Sequence, residues 1–316
     1  MKKAGLLLAG VVVTVFIANH FGLSEIIQSV AAANLMYIVL AVVMQLATFG
    51  LMAARLVVIS GKENGIGFRR ALKVSIAGMA ADLLTPVAKI GGEPLRIYML
   101  KDKFGTSKSS AIVSIDTITE IISSLLTTVM IFLIFIKFLP ESLFVYFAVF
   151  FAVVILLLAF VFKIFTDFSW LEKIVGWIAG KIPKYNKAKN IDYARAFHKA
   201  FGEMIQNKGV MSSALFLSFA MKVLEFARLW LVFLALGTVL PFDIVMIIWA
   251  VLLILSMIPW LPGGLGLVEF GGIYVFIMFG IQKGVAASGM FIDRFISFWF
   301  IVLLGAVLFV INRVKK

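Results

Sequence analysis

The chain has 316 residues, of which 63% are hydrophobic and 14% are charged, and its mean hydropathy is +1.10. No soluble domain of this length needs so much apolar surface, so the composition predicts an all-α polytopic membrane protein. The formal charge of +13 then indicates basic cytoplasmic loops rather than a nucleic-acid partner, because Lys and Arg collect on that side of a membrane.

The first half of the chain predicts spanning helices around one broken segment. We expect a helix over residues 4–18, retained rather than cleaved as a signal peptide, and a second over residues 35–60. The next apolar piece, residues 74–88, is too short to cross a bilayer and has basic stretches on both sides. This pattern predicts a re-entrant hairpin. Helices over residues 109–136 and 143–165 follow.

The second half begins with the only long polar region, residues 166–208. Its helical periodicity predicts two amphipathic helices on the cytoplasmic surface, although an ordinary solvated loop domain has the same pattern. A spanning helix is expected over residues 210–236 and another over residues 286–311. Between them, two short apolar arms flank a Pro/Gly break at residues 259–266, which predicts a second re-entrant hairpin.

The distribution of basic residues predicts the orientation of the chain. Under this layout, 22 of the 29 Lys and Arg lie in the termini and in the loops on one side, and two lie in turns on the other. The positive-inside rule then places both termini in the cytoplasm and the protein in the cell membrane.

Landmarks recur at matching spacing in the two halves. In chain order they are Arg55, Pro86, Glu93 and Asp116 in the first half, and Arg228, Pro259, Glu269 and Asp293 in the second. The arginine and the proline are 31 residues apart in both halves, and the glutamate and the aspartate are 23 and 24 apart. Because the layout sends the halves in opposite directions, we predict an inverted-topology repeat with two re-entrant broken helices. The single transmembrane domain then comprises repeats at about 35–137 and 210–312 and an insert at about 166–208.

Charged residues within the apolar segments are the candidate site. A charge near the bilayer centre costs about 2.5–3.5 kcal/mol and is kept mainly where it pairs or meets water or substrate. We expect Glu93 and Glu269 to hold Arg55, Arg228 and Arg294, and Glu225 to pair with Arg228. The alternative is that these charges only tie helices together. The candidate substrate-binding residues are Arg55, Gly91, Gly92, Glu93, Arg96, Asp116, Glu120, Glu225, Arg228, Gly263, Gly264, Glu269, Asp293 and Arg294.

The residue types at these positions favour an anionic substrate. The tip of a broken helix presents backbone N–H groups that suit a phosphate, and the arginine fork adds bidentate contacts. The chain has no Cys and only two His, far apart in sequence, so we expect no metal, no cofactor and no catalytic constellation.

The motif Leu84-Thr85-Pro86 with Gly91-Gly92-Glu93-Pro94-Leu95-Arg96 resembles the lysylphosphatidylglycerol synthase transmembrane region family, also called flippase-like or UPF0104. The later motifs that carry the resemblance are Ile258-Pro259, Pro262-Gly263-Gly264-Leu265-Gly266, Glu269 and Asp293-Arg294-Phe295. The family includes the flippase half of the multiple peptide resistance factor. The resemblance covers nearly the whole chain and implies about eight helices, two re-entrant segments and movement of a lipid between leaflets.

We therefore expect a lipid flippase or scramblase, not an enzyme, that moves a phosphate-headgroup lipid through a polar cavity between the repeats. Its partners would be membrane lipids, and a homo-oligomer is compatible with the sequence. Two alternatives remain at this point. The same architecture would serve a transporter of a small soluble anion, and a membrane-embedded lipid-phosphate transferase or phosphatase would also place carboxylates in the bilayer.

Overall fold

A computed structural model describes residues 2–61, 65–85, 91–135, 187–258 and 261–314, with a few isolated positions between 136 and 186. Every regular element in these ranges is helical, which confirms the all-α class. Within these ranges, three helical stretches are long and apolar enough to cross a membrane: Leu35–Ser60, Glu93–Ile134 and Lys283–Val310. The predicted helix over residues 143–165 and the first amphipathic helix of the insert lie outside the described ranges.

The N-terminal helix bends sharply. Helix α1 (Lys2–Phe21) runs three residues beyond the predicted end, and α2 (Leu23–Ala31) follows at an angle of 87°. Gly22 joins them at a φ of 97°, which favours glycine because it has no Cβ. The sequence analysis placed no helix in this segment. Alternating Leu, Ile and Val among polar residues gives α2 one apolar face, and Ile26 on that face is buried.

The first half contains a long helix and then a broken pair. Helix α3 (Leu35–Ser60) has the predicted bounds. Helix α4 (Phe68–Leu83) is 16 residues long, about 24 Å at 1.5 Å per residue, and is therefore shorter than the hydrocarbon core. Helix α5 (Glu93–Phe135) follows the break and is interrupted only at Gly105, where φ is 71°. The helix after this kink begins within three residues of the predicted start at residue 109, and the basic stretch before the kink is helical too, which the sequence analysis did not predict.

The second half repeats this order of elements. Helix α6 (Lys187–Gln206) of the insert leads into α7 (Lys208–Ala235), and α8 (Phe242–Met257) precedes the second break. A short 3₁₀ turn (Pro262–Gly264), α9 (Leu267–Met278) and α10 (Lys283–Arg294) follow. A π-helical turn (Phe295–Trp299) then joins α10 to α11 (Phe300–Val314).

The lengths of the elements around the two breaks correspond. Helices α4 and α8 both have 16 residues, and α5 and α9 each begin ten positions after the last residue of the preceding α-helix. A helical stretch of 12 residues comes next in each half, 93–104 and 267–278. Each stretch ends near a glycine with positive φ, Gly105 at 71° and Gly280 at 81°. The two halves therefore share their local structure as well as their landmarks.

The described residues fall into two compact units. The first comprises residues 1–54, 66–96 and 217–316, and its core includes Phe49, Met221 and Ile301 together with Ala80 of α4. The second comprises residues 55–65 and 97–216. In the second unit, Phe197 and Phe201 of α6 are buried, at 5% and 0% exposure. Part of the apolar side of α6 therefore packs against protein, and the location of this helix on a membrane surface stays a prediction.

Candidate functional site

At the first break, a carboxylate closes the turn between α4 and α5. Asp82 Oδ1 accepts a hydrogen bond from the Gly92 backbone N–H at 2.7 Å, and Oδ2 accepts one from Arg96 Nη2 at 3.0 Å. A negative charge at the start of α5 also suits the positive end of the helix dipole. Asp82 was missing from the candidate list, because the sequence does not indicate that a residue before the break bonds to one after it.

Two glycines bring α4 and the start of α5 into close contact. A Cβ on Gly92 would lie under 3.0 Å from the Gly78 carbonyl oxygen, and one on Gly78 would lie equally close to the Arg96 side chain. Gly91 approaches the Thr85 side chain in the same way. The missing side chains therefore make room for Arg96, whose side chain is only 6% exposed.

At the second break, Glu269 and Arg294 form the contact that the sequence predicts. Glu269 is fully buried, and its Oε1 accepts from Arg294 Nε at 2.6 Å. Its Oε2 accepts from the Gly266 backbone N–H at 2.6 Å, so the carboxylate caps α9 as Asp82 caps α5. Arg294 Nη2 donates to the Gly263 carbonyl at 2.7 Å. The carboxylate and the arginine together fix the 3₁₀ turn.

The tip of the second break packs against the end of α4. Gly263 has a φ of 59°, and a Cβ there would overlap the Phe298 ring and lie 3.1 Å from the Leu83 carbonyl oxygen. The Phe298 ring is also 5.0 Å from Arg294 Cζ, a cation–π distance. Gly264 has positive φ as well, at 70°. These glycines form a tight turn, and their role in binding a ligand stays a prediction.

Arg228 bridges three helices of the first unit. Its Nε donates to Asp293 Oδ1 at 2.9 Å, and its Nη1 donates to Gln45 Oε1 at 2.5 Å. Two predicted contacts of this arginine were therefore wrong, those with Glu225 and with Glu269. A planar fork with several donors reaches an acidic and an amide partner on separate helices, and spacing along one helix does not reveal either.

Glu225 belongs to a different cluster on α7 and α8. It accepts from Lys222 Nζ at 3.4 Å and from Trp249 Nε1 at 3.1 Å. Lys222 is 2% exposed, and its ammonium lies 5.8 Å from the centre of the Trp249 ring. The Trp249 ring also makes an edge contact with Phe226. The carboxylate therefore has a cationic and an indole partner within this buried group.

The second unit contains the matched arginine of the first half. Arg55 is fully buried, and its Nε donates to Asp116 Oδ1 at 2.7 Å. Its Nη2 donates to Glu120 Oε2 at 3.1 Å, so two carboxylates one helical turn apart bind the same guanidinium. The predicted contact between Arg55 and Glu93 stays a prediction, and Glu93 lies in the first turn of α5.

The two arginine–aspartate contacts join residues that the sequence comparison matched. Arg55 meets Asp116, and Arg228 meets Asp293, over sequence separations of 61 and 65 residues. Both pairs are buried, so each pair forms despite the free-energy cost of removing two charges from water. Among the described residues, no group of three or more acidic or histidine side chains is placed to hold a metal ion.

Comparison with known proteins places this architecture in a family. The family model described as "Lysylphosphatidylglycerol synthase TM region" matches residues 4–305. A UPF0104 membrane protein of Methanothermobacter thermautotrophicus is 30% identical over 96% of this chain and 94% of its own length. A UPF0104 membrane protein of Pyrococcus horikoshii is 26% identical over 99% and 98%. The chain is therefore a membrane protein that belongs to the lysylphosphatidylglycerol synthase transmembrane region family.

Proposed function

We propose that the protein is a flippase or scramblase that moves a phosphate-headgroup lipid, a phospholipid or a polyprenyl phosphate, between the bilayer leaflets. The observation that carries this proposal is the pair of carboxylate-held arginines at the helix breaks. Arg96 is bound to Asp82, and Arg294 is bound to Glu269. Both pairs lie where the backbone turns, inside a chain whose residues are otherwise mostly apolar.

A phosphate can compete with the carboxylate for the arginine in each pair. A carboxylate is planar and a phosphate is tetrahedral, but both are oxyanions that can accept two hydrogen bonds from one guanidinium. A headgroup phosphate that reaches Arg96 or Arg294 exchanges with Asp82 or Glu269. The arginine keeps an anionic partner, and the displaced carboxylate keeps its hydrogen bond from the Gly92 or Gly266 backbone N–H. This exchange lowers the cost of carrying an anion through a low-dielectric interior.

The same proposal includes an inverted repeat with two re-entrant segments. The matching lengths of the broken elements and the matched Arg55–Asp116 and Arg228–Asp293 pairs support it. Helices α4 and α8, at about 24 Å each, are too short for a 30 Å hydrocarbon core, which suits hairpins that return to one side. The bias of Lys and Arg supports cytoplasmic termini. The headgroup would then pass between the two sequence repeats.

The test is transfer of fluorescent lipids in liposomes that contain the purified protein. We would compare phosphatidylglycerol, phosphatidylethanolamine and a polyprenyl phosphate for the wild type, Glu269→Gln, Asp82→Asn and Arg294→Lys. We expect wild-type transfer of at least one lipid, recovered chemically unchanged, and at least tenfold slower transfer in the variants. Glu203→Gln, at an exposed position of α6, is the matched control.

Wild-type liposomes that move none of these lipids would refute the proposal. Uptake of inorganic phosphate or sulfate without lipid transfer would then identify a transporter of small anions. Conversion of the lipid into a new species would instead identify an enzyme.

A further inference from the structure

Helix α5 carries hydroxyl groups that the ion pairs do not use. The hydroxyls of Ser109, Thr117, Ser124 and Thr127 are buried and make no hydrogen bond within the part of the chain that the structure describes. Three of these residues are 0%, 5% and 8% exposed, namely Ser109, Ser124 and Thr127. Leaving a buried hydroxyl without a partner is unfavourable, so four on one helix require an explanation.

A local partner is within reach of every hydroxyl on a helix. Ser and Thr in apolar helices usually donate to the carbonyl three or four residues earlier. Thr119, Ser123 and Thr128 on the same helix do so, at 2.9, 2.9 and 2.8 Å. The four hydroxyls without a partner do not make this bond, so their donors remain unused within the described residues.

These four residues share one side of α5 with the ion-pair carboxylates. At 100° per residue, positions 109, 116, 117, 120, 124 and 127 fall within a sector of about 100°. The sector also includes one apolar residue, Val113. From Ser109 to Thr127 the helix rises about 27 Å, close to the 30 Å thickness of a hydrocarbon core. A polar stripe therefore extends over nearly the whole span.

We propose that this stripe is one wall of the path along which the lipid headgroup crosses the membrane, an inference that rests on the proposed function. The hydroxyls donate to oxygen atoms of the headgroup phosphate and are released one after another as it advances. Neutral donors suit this task because each bond is weak enough to break at every step. Near the middle of the stripe Arg55 stays bound to Asp116 and Glu120, so the neutral hydroxyls rather than this cluster are the donors to the phosphate.

The first test removes single hydroxyls without changing side-chain volume much. We expect Thr117→Val, Ser124→Ala and Thr127→Val each to slow lipid transfer about fivefold, the factor that corresponds to one hydrogen bond of about 1 kcal/mol. Melting temperatures should not fall, because these hydroxyls make no bond within the described protein. Thr119→Val, whose hydroxyl donates to its own helix, is the control and should transfer lipid at the wild-type rate. Unchanged transfer in all three variants would overturn the proposal.

The second test does not depend on lipid transfer. The chain has no cysteine, so Ser124→Cys and Thr127→Cys introduce single thiols, with Thr119→Cys as the control. We expect a charged, membrane-impermeant methanethiosulfonate to label positions 124 and 127 and not position 119. Absence of labelling at 124 and 127 would overturn the path even if the wild type moved lipid. Labelling in a protein that moved no lipid would show that the stripe lines a water-filled path, but it would refute the use of that path by a lipid headgroup together with the flippase.

Protection from labelling identifies the source of the phosphate. Vesicles with phosphatidylglycerol should slow the reaction relative to vesicles of a phosphate-free glycolipid alone, whereas inorganic phosphate at millimolar concentration should not. Protection by inorganic phosphate alone would overturn the lipid path in favour of a soluble anion.

Discussion

Replacing Glu269 by Gln tests the ion pair at the second break. Glu269 is fully buried and accepts from both Arg294 and the Gly266 N–H at 2.6 Å. A glutamine offers one carbonyl oxygen for these two donors and removes the charge that balances the arginine. We expect a loss of about 3–5 kcal/mol in the free energy of unfolding, the usual cost of leaving one partner of a buried pair uncompensated. Denaturation in mixed micelles, followed by tryptophan fluorescence, measures this loss.

The double variant Glu269→Gln/Arg294→Met separates pairing from packing. Removing both charges leaves no uncompensated ion, so the double variant should recover at least half of the loss of the single variant. Glu203→Gln, an exposed change of the same type, should shift the free energy by no more than about 0.5 kcal/mol. A double variant as unstable as the sum of its single variants would refute the reasoning.

Three further substitutions test local contacts. Gly78→Ala should destabilise the protein by about 1–3 kcal/mol, because the new Cβ would overlap the Arg96 side chain, whereas Gly50→Ala, with nothing within 4 Å, should stabilise α3 by up to about 1 kcal/mol. Equal melting temperatures for the two variants would contradict this contact. Trp249→Phe keeps the ring but removes the donor to Glu225, and should cost about 1.5–3 kcal/mol in the same unfolding assay. A melting temperature equal to that of the wild type would show that Glu225 does not need the indole.

Strong local sequence patterns were enough to predict the bounds of α3 and the positions of both breaks. The bounds of α3 follow from an uninterrupted apolar run, and both breaks follow from clustered Pro and Gly. The contact between Glu269 and Arg294 was also predictable, because an acidic residue at a break requires a cation in an apolar setting. The flippase-like family was recognised from the same breaks and is confirmed by the family match.

Contacts between distant residues were harder to predict. Arg228 meets Asp293 and Gln45, and neither the spacing on α7 nor the repeat indicates that Gln45 faces it. Asp82 was left out of the candidate residues because its partners, Gly92 and Arg96, follow a break whose path the sequence does not specify. Helix α2 was missed because it is nine residues long, so its stability comes from tertiary packing rather than from intrinsic propensity.

The contact of Gly263 with the end of α4 has a mechanical consequence. Here the two halves of the sequence approach through a glycine and a backbone carbonyl, 3.1 Å from where a Cβ would stand. Side chains at an interface can accommodate small displacements by changing rotamers, but main-chain atoms in contact have no rotamers to change. We therefore expect a shift of the Pro262–Gly264 turn toward Leu83 to displace α4 as well. We expect the two breaks to move together.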